Sequence, residues 1–158
     1  MVRRRLDHGT YVECTASGNR VHPCNVVNSV SATAFSTRMF AGATSFIACV
    51  VAAGDVDEAV LEAATDAVET ITPIRYTKER LLADLSAEDL AVRMRGDLIL
   101  LAEQLQPQGV DALVAQARRI ARLGGGPSRA QLEILARGEE YLDSTRASSF
   151  SRLRPRRL

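Results

Sequence analysis

The sequence predicts an all-α fold: a single compact bundle of five to six short antiparallel helices, preceded by a poorly ordered N-terminal segment. Three observations carry this. Apolar residues recur at three- and four-residue steps from about residue 31 onward, which places them on single helix faces. Glycine, proline and capping residues punctuate those runs at short intervals. Alanine, finally, occurs 23 times but only once before residue 32, at Ala16. Alanine-rich buried faces let helices approach closely.

Residues 1–30 read as irregular, with short extended stretches at Thr10–Glu13 and Asn25–Val30 as the only strand-like patterns. Residues 31–143 form the bundle, and residues 144–158 an Arg-rich tail. In the first helix Met39, Ala43, Phe46, Val50 and Ala53 share a face. Gly54-Asp55 ends it and starts the next, with Asp55 as cap and Glu58 reaching back to it. The row Val56, Val60, Ala63, Ala67 and Ile71 follows, until Thr72-Pro73 stops it.

Thr77 opens a short helix to Leu85. Ser86 and Asp89 open another, striped by Leu90, Met94, Leu98, Leu101 and Leu105. Pro107 suits the first turn of the next helix, whose stripe is Val110, Leu113, Val114, Ala117, Ile120 and Ala121. Gly124-Gly125-Gly126 terminates it. Ser128 and Gln131 then form a capping box for a final helix to about Leu142. Gly138 is the one residue that argues against that helix, at about 1 kcal/mol relative to alanine.

Composition excludes several function classes. With 20 Lys and Arg against 19 Asp and Glu, the 158-residue chain is no polycation built to grip nucleic acid. Trp is absent and aromatics make up 4%, which argues against base-stacking platforms. The apolar run Met39–Gly54 falls short of the roughly 20 residues of a membrane span, so a cytoplasmic chain without a span is predicted. Charge is nonetheless segregated. Residues 41–143 hold 10 Lys and Arg against 17 acids, while residues 144–158 hold five Arg and no acid.

Candidate chemistry is sparse. His8, Cys14, His22 and Cys24 are zinc-type ligands at spacings that match no standard site. Glu69, Asp84 and Glu103 are carboxylates on faces expected to be wet, and no nucleophile–base set stands on a helix, so no catalytic residues and no enzyme are predicted. Arg118, Arg119, Arg122 and Arg129 make a basic patch beside the triple glycine. With the Arg-rich ends, that patch supports an alternative reading as a nucleic-acid-associated protein.

Two segments share one plan of apolar helix end, glycine turn, capping residue, and acid or amide three positions on. They are Phe46-Ile-Ala-Cys-Val-Val-Ala-Ala-Gly54-Asp55-Val56-Asp57-Glu58 and Ile120-Ala-Arg-Leu-Gly124-Gly-Gly-Pro-Ser128-Arg-Ala-Gln131. This duplicated helix–turn–helix resembles the TerB-like family of tellurite-resistance-associated proteins, which includes the N-terminal module of DjlA-type co-chaperones. The resemblance covers about residues 35–143. It implies a helical bundle with two symmetrical turns, and a non-enzymatic accessory or scaffold role with a protein partner in a bacterial stress-linked assembly.

In some family members acids from those turns are thought to hold a divalent cation. Here Asp55, Asp57 and Glu58 would be what remains of such a site. The family's Asp before Gly54 is missing, Gly124 stands for the second Asp, and Gln131 stands for the second Glu. The resemblance therefore implies a degraded metal site.

Overall fold

A computed structural model describes the backbone of residues 2–5, 11–14 and 29–151 and the side chains from Thr37 to Ser144. Contacts divide the chain into two units, Met1–Ala32 and Thr33–Leu158. The first unit contains strands β1 (Val2–Arg5) and β2 (Tyr11–Cys14), paired antiparallel with Arg3 opposite Glu13 and Arg5 opposite Tyr11. These eight residues are the described part of the segment read as irregular with short extended stretches. Tyr11–Cys14 falls on the extended stretch read at Thr10–Glu13. The strand-like pattern at Asn25–Val30 lies outside the described residues up to 28, and Ser29 and Val30 are helical.

The remainder is an all-α bundle of six helices: α1 (Ser29–Ala52), α2 (Glu58–Ile71), α3 (Lys78–Leu85), α4 (Leu90–Ala102), α5 (Pro107–Arg122) and α6 (Arg129–Ser151). Two of them are not short. α1 has 24 residues and α6 has 23, so α6 carries helical backbone well into the predicted tail.

α1 is the hub. Every residue from Gly42 to Val51 is buried, as a helix apolar on all sides must be. Its two polar residues there bond within the helix, Thr44 Oγ1 donating to Ala41 O (3.1 Å) and Ser45 Oγ to Gly42 O (3.3 Å). Ascending α1, Gly42 lies against Leu101, and Cys49 Sγ donates to Leu90 O at 3.8 Å, so α4 runs antiparallel to it. Phe46 lies on Gly138, and Val50 and Ala53 bond to Gln131 and Ser128, so α6 is antiparallel as well. α4 and α6 consequently run in the same direction, packed on each other.

The residue that argued against α6 is what lets it pack. A Cβ on Gly138 would stand 2.3 Å from Phe46 Cε2, and Phe46 is fully buried. The helix-propensity cost at Gly138 is therefore set against close contact with α1.

α2 begins two residues later than expected. Its cap is Asp57, not Asp55: Asp57 Oδ1 accepts from Val60 N at 2.8 Å. Val56 is consequently left 46% exposed, and Val60, Ala64, Ala67 and Val68 form the buried face. Thr77 caps α3 as read, its hydroxyl accepting from Arg80 N at 3.3 Å. Asp89 stands at the start of α4 without a side-chain cap bond.

One aromatic ties the α2–α3 connection to the bundle. Tyr76 is 1% exposed and meets Phe40 edge-on at 5.7 Å. Its hydroxyl donates to Asp84 Oδ2 at 2.7 Å, and Arg93 of α4 approaches the other Asp84 oxygen at 3.7 Å. Burial, then the bond to Asp84, pushes the Tyr76 phenol far above its usual range.

Two glycine substitutions should have opposite effects in urea denaturation. Gly138→Ala should lower stability by about 1–3 kcal/mol, because the buried Phe46 ring has nowhere to move. Gly96→Ala should raise it by up to about 1 kcal/mol, since a Cβ there meets nothing within 4 Å.

Candidate functional site

The two turns singled out in the sequence lie side by side. The C-terminus of α1 must satisfy carbonyls that have no partner within the helix. Backbone N–H groups serve two of them, Ala53 N donating to Cys49 O (3.2 Å) and Gly54 N to Val51 O (3.1 Å). The second turn serves Val50 and the following Ala53. Gln131 Nε2 donates to Val50 O at 3.1 Å, and Ser128 Oγ donates to Ala53 O at 2.8 Å.

The same two side chains cap α6. Ser128 N donates to Gln131 Oε1 at 3.0 Å, and Gln131 N donates to Ser128 Oγ at 3.1 Å, the reciprocal pattern of a capping box. Gln131 is 5% exposed, so each end of its amide is matched inside the protein. Gly54 permits the approach: a Cβ there would stand 2.2 Å from Gln131 Nε2. Gly124, Gly125 and Gly126 supply the turn before the box, with φ of 82°, 102° and 108°.

This geometry explains why an amide stands at position 131. A glutamate could accept from Ser128 N but could donate nothing to Val50 O, and would set a buried charge against a carbonyl. Gln131 also leaves the junction without a carboxylate on its α6 side.

The acids of the first turn have separate roles. Asp57 caps α2, and Glu58 pairs with Lys78, which also reaches Glu62 at 3.3 Å. These contacts hold the Lys78 ammonium above its usual range, the Glu58 bond first among them. Asp55 is exposed in the turn. Among the described residues no group of three or more His, Cys, Asp or Glu is placed to hold a metal ion.

The arginines of the alternative reading are divided. Arg118 bonds Glu139 Oε1 at 2.6 Å across to α6, and Arg129 pairs with Glu133 at 3.3 Å. Arg119 and Arg122 are exposed in the last turn of α5, where cations favour the helix dipole. His8, His22 and Cys24 lie outside the described residues, as do Arg152–Arg157, and only the backbone of Cys14 is described.

Of the carboxylates weighed for acid–base chemistry, Glu69 and Glu103 are exposed, and Glu69 accepts from Tyr76 N at 3.2 Å. Asp84 is half-buried and bound to Tyr76 and Arg93. Cys49 is buried as expected, and desolvation pushes its thiol up to about 11. Among the described residues no helix is long and apolar enough to cross a membrane.

No protein-family model, no curated protein and no solved structure matches the chain.

Replacing the amide by an acid tests the junction. Gln131→Glu should cost about 2–3 kcal/mol at pH 7, read from urea denaturation. The deficit should shrink as pH falls, because a protonated carboxyl can again donate to Val50 O. A deficit that does not change with pH would mean that this donor is not what stabilises the turn.

Proposed function

We propose that this chain is a TerB-like helical module that works by association, as an accessory or scaffold component of a bacterial assembly linked to stress or tellurite resistance, with its metal site degraded. The observation that supports the reading is the meeting of the two glycine turns. A duplicated helix–turn–helix unit brings its bends together near a common axis, and here Gln131 and Ser128 of one bend close on Val50 and Ala53 of the other. The polar groups at that junction bond to each other rather than converge on an open centre, which favours a structural role over a catalytic one. The pairing of Arg118 and Arg129 with glutamates weighs against the nucleic-acid reading.

Association is tested by size. In extract of its native cells the tagged chain should elute well above its own 17.1 kDa and carry a stoichiometric protein partner. Elution at monomer size in every condition would overturn the reading.

Kinship has its own test, the restoration of the carboxylates. Wild-type protein should melt at the same temperature with or without millimolar Ca²⁺ or Mn²⁺. The double variant Ala53→Asp, Gln131→Glu should melt lower in chelator and recover by several degrees when either ion is added. A variant that no divalent ion recovers would count against descent from a metal-binding pair of turns.

A further inference from the structure

α4 is apolar on two opposite faces, and only one of them is covered. Leu90, Met94, Leu98 and Leu101 are buried in the bundle. On the other side, at three- and four-residue steps, stand Val92, Gly96 and Ile99, with Leu100 at the edge. Val92 is 77% exposed and Leu100 42%, and a Cβ on Gly96 would meet nothing within 4 Å. An exposed apolar stripe opposite a buried one marks a further contact.

Two charges on this face say what makes that contact. Arg95 and Glu103 are exposed, and Ile99 lies midway between them in the sequence. Among the described residues neither side chain has a partner. They stand about 12 Å apart along the helix axis, too far to pair with each other. A second α4 laid antiparallel, Ile99 against Ile99, brings each Arg95 opposite the other copy's Glu103. The pattern is therefore complementary to itself about one residue, as a two-fold interface requires. Gly96, beside that axis, leaves room for the facing helix to come close. We propose that α4 is the contact between two copies of this chain, paired antiparallel about Ile99. The inference goes beyond the association reading above and does not rest on it.

The test is sedimentation of the purified full chain across the micromolar range. A reversible monomer–dimer equilibrium is expected, weak because one helix buries less than a standard interface. Arg95→Glu and Glu103→Arg should each weaken the dimer about tenfold, since both facing pairs become like charges. The double variant Arg95→Glu, Glu103→Arg should recover it. A mixture of the two single variants should pair with each other more tightly than either pairs with itself. Gly96→Gln should break the dimer while leaving the protomer at least as resistant to urea. Asp111→Arg, a charge reversal at an exposed site on α5, should leave dimerisation as in wild type.

A chain that stays monomeric at every concentration would overturn the proposal. So would equal losses in Asp111→Arg and Glu103→Arg, which would reduce the effect to net charge. A double variant that fails to recover would do the same. Unchanged dimerisation by Gly96→Gln would place the contact elsewhere, and would likewise overturn it. Arg95 and Glu103 are exposed, so their variants report on pairing rather than on folding. A dimer of the pure chain, with no other protein bound in cell extract, would keep this inference and reject the association reading. A heavy complex in extract around a chain that is monomeric when pure would do the reverse.

Discussion

The C-terminal carbonyls of α1 are the constraint from which the rest of the bundle follows. α1 is buried along ten residues from Gly42 to Val51, and water cannot reach all of its unpaired end. Ser128 and Gln131 meet that need and, with the same atoms, start α6. A buried glutamine with both amide ends matched is a demanding arrangement, because a half-satisfied one is worse than none. It therefore sets where α6 begins and how closely it lies along α1. Glycine at 54 and at 138 removes the two Cβ atoms that would hold the helices apart.

A second polar centre plays the same part at the other side of the hub. Tyr76 leaves the α2–α3 connection to pack on Phe40, Asp84 holds its hydroxyl, and Arg93 brings α4 to Asp84. The Arg80 guanidinium lies 4.7 Å over the Phe40 ring and covers its outer face. Both centres use buried or half-buried polar groups to fix the register of helices whose apolar faces are mostly alanine, valine and leucine. Such groups act as specificity devices more than as sources of net stability.

On the proposed TerB-like reading, that use of polar groups separates this chain from the family pattern. The acids expected at paired turns would repel across the junction unless a cation sat between them. Here one side is an amide and a hydroxyl, which bond directly to backbone. Asp57 and Glu58 are turned to a cap and to Lys78. The junction can close without an ion, because its polar groups bond directly to one another.

Helix identity and most helix ends were determined by sequence alone, because those signals act within one turn. Thr77, Pro107, the glycine triplet and the Ser128–Gln131 box each work on neighbours three or four residues away. Asp57 displaced Asp55 as a cap because the chain needs the intervening residues to turn from α1 to α2, and spacing does not measure that distance. Gly138 reads locally as a flaw, and only Phe46, 92 positions earlier, supplies its reason. The choice of glutamine at 131 likewise waits on a carbonyl 81 residues away, as the 3.1 Å bond to Val50 shows. Local propensity can name the ends of helices, whereas close approach and the pairing of buried polar atoms exist only once distant segments have packed.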